Sequence, residues 1–171
     1  PTAARRPARG GRPLPSCDIL GFPVMDATRS VIRVLAFMEA QRVTGPAKNL
    51  IRFARQASRP EAGLPPVRIA IATFRRGSRS MPFVDAARSA GIPVHVIPER
   101  CRFDPAVLSR LRAVVREVQP DVVQTHNVKS HALLRLSGAW PDGPWIAFHH
   151  GYTATDWKDR LYNRLDRWSL R

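Results

Sequence analysis

The stretch VVREVQPDVVQTHNVKSHALLRLSG (114–138) decides the fold. Its opening residues finish an amphipathic helix. Val107, Leu108, Leu111, Val114, Val115 and Val118 fall on one stripe, and Arg110, Arg112, Arg116 and Glu117 fall off it. Gln119-Pro120 stops that helix, because proline lacks the N–H that the next turn needs. Asp121 to Gln124 then reads as a short strand, and Thr125-His126-Asn127 as a polar turn at its carboxyl end. Helix resumes from Val128 to Leu136. Helix, strand, polar turn and helix in immediate succession form the repeating unit of a parallel α/β sheet.

The same rhythm extends in both directions. Asp104 can cap the first helix, Pro105 suits its first turn, and Phe103 ahead of the cap can pack on Leu108. Further back, Val94, Val96 and Ile97 make a short strand. Pro82 to Ala90 makes a helix closed by Gly91, and Arg75 to Ser80 a polar loop. Val67, Ile69, Ile71 and Thr73 alternate with the small Ala70 and Ala72, so that strand is expected to be covered on both faces. Pro60, Gly63, Pro65 and Pro66 form a linker. It follows a helix opened by Pro46 with Leu50, Ile51, Ala54 and Ala57 on its apolar side. The first strand is Val31, Ile32, Val34, Leu35, Ala36 and Phe37, and the loop Met38–Gly45 holds Glu39, Arg42 and Thr44. Toward the other end, Trp145 to Phe148 is a fifth strand running into His149-His150-Gly151-Tyr152. A last helix starts near Asp156 and carries Trp157, Leu161, Leu165 and Trp168 on one stripe, read as a core-facing side in preference to an interfacial one touching anionic lipid. Five β-α units predict an α/β, doubly wound parallel sheet of the Rossmann-like kind, in strand order 3-2-1-4-5.

Residues 1–29 are rich in Pro, Arg, Ala and Gly and have no apolar period, so they are expected to be a disordered extension. Residues 30–171 form the domain. The chain starts at Pro1 and stops in a helix, as expected for a piece of a longer protein. The net charge of +15 comes almost wholly from arginine, since Lys48, Lys129 and Lys158 are the only lysines. The arginines are spread over every helix without a long basic run. The charge therefore suits a general attraction to an anionic membrane surface better than nucleic-acid recognition. Two cysteines, Cys17 and Cys101, make no disulfide framework. No segment is apolar enough to span a bilayer as a helix, and the expected location is cytoplasmic, with possible peripheral contact at the inner face of the plasma membrane.

In such a sheet ligands bind beyond the carboxyl ends of the strands, where the order reverses between strands one and four. The loops Met38–Lys48, Thr125–Ser130 and His149–Thr155 meet there. They hold Gly45, Lys48, Thr125, His126, Asn127, Lys129, Ser130, His150 and Tyr152. Gly45-Pro46 either punctuates a turn or lets a diphosphate approach the N–H groups of the helix start. His126 and Asn127 are either a satisfied turn or ligand contacts. Lys129 and Ser130 are candidates for an anionic acceptor. His149 and His150 face opposite ways on a strand, and His150, beside Gly151, is taken as the ligand-facing one. No G-x-G-x-x-G or Walker A motif is present. His126, His131 and one of the last pair lack the spacing of a zinc site, so no metal and no bound cofactor is expected.

With those residues placed, the chain from Val31 to Arg171 resembles the N-terminal domain of family-4 glycosyltransferases, the retaining GT-B group. The resemblance is carried by VTGPAKNLIRFA (43–54), AARSAGIPVHVIP (86–98), the stretch 114–138 and FHHGYTATDWKDRLYNRLDRWSLR (148–171). It implies an acceptor-side domain facing a separate C-terminal domain that binds a UDP- or GDP-sugar as substrate. It also implies transfer of a hexose with retention to a cell-envelope glycan, such as a polysaccharide, or to a lipid-linked acceptor. By that resemblance His150 lies at the reaction centre, Gly45, Pro46 and Gly151 lie near the donor, and Lys48, Thr125, His126, Asn127, Lys129, Ser130 and Tyr152 lie toward the acceptor. Many members carry two glycines where this chain has Thr44-Gly45. The donor motif of the C-terminal domain is absent, so this piece alone is expected to be inactive. The competing readings are a GT-B sugar-nucleotide 2-epimerase and a non-enzymatic basic module binding polyanions or membranes.

Overall fold

A computed structural model describes residues 31–59, 61, 64–78, 80–101, 104–139, 144–148 and 157–170. The expectations for residues 1–29, for Phe103 and for the segment holding His149, His150, Gly151 and Tyr152 lie outside these residues. Ten elements alternate along the chain: β1 (Ile32–Phe37), α1 (Gly45–Ala57), β2 (Val67–Arg76), α2 (Pro82–Ser89), β3 (Val94–Glu99), α3 (Ala106–Val118), β4 (Val122–Thr125), α4 (Val128–Ser137), β5 (Trp145–Ala147) and α5 (Trp157–Ser169). The five strands form one sheet in the order β3-β2-β1-β4-β5, and every pairing is parallel. This is the order and direction expected from the sequence.

Alternation along β1 divides the core. Val34 and Ala36 face a layer built from Ala47, Leu50 and Ala54 of α1 and Phe83 and Ala87 of α2. Leu35 and Phe37 face the opposite layer, with Val107, Leu111, Val114 and Val115 of α3 and Leu134 of α4. Both faces of the sheet are covered, which is why β1 and the middle of β2 read as nearly unbroken apolar runs.

Three features differ from the expectation. β2 and β3 run further than their apolar residues, as far as the register pair Arg76↔Glu99, where Arg76 Nη2 lies 3.2 Å from Glu99 Oε2. An ion pair with a distant partner in sequence completes what reads locally as a polar loop. Pro98 fits within β3 because that strand is an edge of the sheet. Helix α3 begins at Ala106, and Asp104 still accepts the Ala106 N–H at 3.1 Å. On α5 it is Asp166 and Ser169 that are fully buried, whereas Leu165 and Trp168 of the apolar stripe are 38% and 48% exposed. The core-facing assignment is therefore corrected for Leu165 and Trp168. The buried side is fixed by His131 of α4, which holds Asp166 inside.

Candidate functional site

The register sets the site's rim. Phe37 at the end of β1 pairs with Thr125 at the end of β4, and Thr125 pairs with Ala147 at the end of β5. The chain leaving each strand therefore emerges at the same edge. His126 N donates to Phe37 O (3.0 Å), and Phe148 N donates to Thr125 O (2.7 Å). Gly45 starts α1 on that rim, with Pro46 in the first turn and no acidic residue there. Lys48, at the end of the same turn, is exposed.

The turn after β4 is more tightly built than its polar sequence suggests. Asn127 and Ser130 form a capping box: Asn127 Oδ1 accepts from Ser130 N (2.9 Å), and Ser130 Oγ accepts from Asn127 N (3.1 Å). Ser130 is fully buried. Thr125 is also fully buried, and its hydroxyl accepts from Trp145 Nε1 at 2.8 Å. Both residues were expected to contact an acceptor. They belong instead to the frame of the turn, because strand, cap and core claim their hydroxyls. Asn127 remains at the rim, its amide donating to Glu39 O at 3.4 Å. Removing the cap with Asn127→Ala is expected to cost about 1 kcal/mol of stability, read from urea midpoints.

His126 is 6% exposed, and its ring lies parallel to that of Phe148 at 4.7 Å between centroids. Phe148 is 40% exposed, so an aromatic face, not an imidazole edge, is what the rim presents at this point.

Lys129 departs furthest from expectation. Its ammonium lies 2.8 Å from Glu39 Oε1 and 2.5 Å from Glu99 Oε1, over the Phe74 ring at 4.9 Å. Two carboxylates already balance that charge, and Lys129 joins the β1 loop, the end of β3 and α4. Glu39, Arg76 and Glu99 were missed as site residues because they lie far from Lys129 along the chain. The one signal in the sequence was the placement of Glu39 in the first loop.

Beneath the turn, His131 Nδ1 is 2.6 Å from Asp166 Oδ1 and its Nε2 is 3.2 Å from Thr125 O. Both ring nitrogens are engaged within the protein. Among the described residues no group of three His, Cys, Asp or Glu is placed to hold a metal ion.

Beside the rim lies a cleft of about 790 Å³. Val107 and Leu108 of α3, Val128, Ala132, Leu133 and Leu136 of α4 and Leu165 of α5 line its apolar length, and Glu39, Arg76, Glu99, Asn127 and Lys129 stand at one end. Asp104, also in its wall, is held well below the usual carboxylate range, chiefly by the hydrogen bond from the Arg100 side chain. A second hollow of about 500 Å³, lined in part by Arg33, Arg68, Gly91 and Pro93, lies at the amino ends of the strands, away from this rim. Among the described residues no helix is long and apolar enough to cross a membrane.

Comparison with known proteins agrees with this architecture. Among solved structures, the chain is similar to the Anabaena protein HepE in complex with UDP. The identity is 13% and the TM-score 0.62, over 81% of this chain and 35% of that one. Against HepE in complex with UDP and glucose the identity is 14% and the TM-score 0.57, over 78% of this chain and 35% of that one. At such identity the likeness is one of fold, and the chain spans about a third of HepE's length. No curated protein sequence matches the chain significantly. Residues 49–171 match the model of Glycosyltransferase Family 4. That match takes in well over half of the sequence, including the capped turn after β4 and the final helix, and on it the chain belongs to glycosyltransferase family 4.

Proposed function

We propose that this chain is the acceptor-side half of a retaining glycosyltransferase. A second domain of the same protein supplies the nucleotide-sugar, such as a UDP- or GDP-hexose, and this half presents a cell-envelope glycan or lipid-linked acceptor. The complex of HepE with UDP supports the donor class. A cytoplasmic location, with contact at the inner membrane surface, suits the arginine-rich composition. Transfer with retention needs a stabilised leaving diphosphate and a reacting centre shielded from water. Two domains closing on each other across a cleft provide both. In this reading His150 acts at the reaction centre, and Gly45, Pro46 and Gly151 border the donor. Asn127, Lys48 and Tyr152 face the acceptor, with His126, Thr125, Ser130 and Lys129 holding the turn that carries them.

The observation that carries this reading is Gly45. It is not among the glycines with a positive φ, and a Cβ built there meets nothing within 4 Å. The fold itself makes no demand for glycine at this position. In this reading the glycine serves the donor, whose diphosphate suits the N–H groups and dipole of the helix N-terminus. Gly45→Ala is expected to leave the melting temperature unchanged or slightly raised, since alanine is the better helix former. Transfer is expected to fall about tenfold, and further with Gly45→Leu, because the donor is pushed off the backbone. The check is kcat/KM for the nucleotide-sugar in the protein carrying both halves. Undiminished transfer with Gly45→Leu would remove the diphosphate from this rim.

A further inference from the structure

We infer that the cleft between α3, α4 and α5 receives the apolar tail of an amphiphilic acceptor whose head is uncharged and hydroxyl-bearing, an inference that rests on the transferase reading for the acceptor's role. Three observations lead there. First, the cleft is continuous with the candidate site. Asn127 and Lys129 belong both to the rim and to its wall, and about 790 Å³ lies within the range of pockets that enclose small ligands. Second, polarity is segregated along it. The ionic and amide side chains stand at the rim end, and leucine and valine line the rest as far as Leu136 and Leu165. Those two leucines are 54% and 38% exposed, and Trp168 of α5 and Leu170 just past its end are 48% and 39% exposed. The cleft thus joins charged residues at the rim to half-exposed leucines of α4 and α5, a lining that suits an apolar chain better than a free sugar. Third, the charges in the cleft wall leave no spare cation for an anion: Glu39, Glu99 and Asp104 stand against Arg76 and Lys129. Glu99 is paired with Arg76 and Lys129, Lys129 also with Glu39, and Asp104 with Arg100 and Arg110. A phosphorylated head would compete with these carboxylates for Arg76 and Lys129. A neutral head needs only to donate its hydroxyls to the Glu39 carboxylate, which is 41% exposed, and to meet the Asn127 amide.

The test is calorimetric binding of glucose and of hexyl, heptyl and octyl glucoside, below their micellar concentrations, to the whole protein. Burying each added methylene is expected to tighten binding by roughly fourfold. Leu108→Trp fills the inner part of the cleft without adding polarity and is expected to abolish the chain-length dependence. Leu136→Glu, at an exposed position that tolerates the change, is expected to weaken octyl glucoside more than hexyl glucoside. This second variant decides the matter should Leu108→Trp fail to fold. Affinity that stays flat along the series overturns the inference, and so does a chain-length dependence that survives in both variants or, should Leu108→Trp fail to fold, in Leu136→Glu. The outcome is separable from that of the function. Chain-length-dependent binding without transfer from any nucleotide-sugar keeps the cleft and removes the transferase reading. A flat series with active transfer to the glucosides does the reverse.

Discussion

Asp166→Ala is expected to destabilise the domain by about 3–5 kcal/mol, the range for removing one partner of a buried ion pair. The side chains of His131 and Asp166 are 1% and 0% exposed, with 2.6 Å between Nδ1 and Oδ1. Nε2 faces the Thr125 carbonyl, which can only accept, so that nitrogen carries a proton. The second nitrogen then needs Asp166, whether the proton between them sits on the ring or on the carboxyl. Alanine leaves it buried with that need unmet. Asp166→Asn keeps the volume but is expected to recover only part of the loss. Its amide oxygen needs Nδ1 protonated, which leaves an uncompensated positive ring, and its NH₂ offers a weaker donor in an altered geometry. The double replacement His131→Leu with Asp166→Leu is expected to cost less than the sum of the two single changes, because it removes both polar groups together. Urea midpoints of the four proteins measure the coupling. An Asp166→Ala loss below about 1 kcal/mol would show the pair to be solvated.

That pair also explains which parts of the molecule were legible in the sequence. Strand order, direction and the alternation of elements were readable because each depends on local runs. Examples are the double-faced apolar pattern of β1 and β2, Pro46 at a helix start, and Gln119-Pro120 at a helix end. The final helix was readable as a helix but not in its orientation. Its apolar stripe pointed to Leu165 and Trp168 as the buried side, yet the packed side is set by a histidine on another element. The same distinction runs through the site. Asn127 and Ser130 are three residues apart, and their capping box is written in the sequence for anyone asking where the N–H groups of α4 go. Lys129 cannot be matched with Glu39 and Glu99 from the sequence, since the sheet alone brings those carboxylates to it. Thr125 looks like a turn residue beside His126 until β5 arrives and Trp145 occupies its hydroxyl. Local chemistry located the rim, and tertiary pairing determined which of its polar groups remain available to a ligand.

His150→Ala is expected to lower kcat of the protein carrying both halves by about 10²–10³-fold, the usual cost of losing one preorganised group at a reacting centre. The argument begins at β5. Its end is held in the rim by Phe148 N donating to Thr125 O and by the parallel stack of Phe148 on His126. His150 follows Phe148 by two residues in sequence, just before Gly151. In the proposed reading, the histidine two residues beyond that anchored end acts on a donor held at Gly45 and stabilises an oxocarbenium-like centre. A residue that serves the reaction and not the packing changes stability by no more than about 0.5 kcal/mol when replaced, so on this reading the melting temperature should move by only about 2 °C. The donor KM should change much less than kcat, because the lost interaction belongs to the transition state. Thermal melts beside steady-state kinetics separate the two roles. A melting temperature falling in proportion to the rate would assign His150 to the fold, and an unchanged rate would move the reaction centre away from the end of β5.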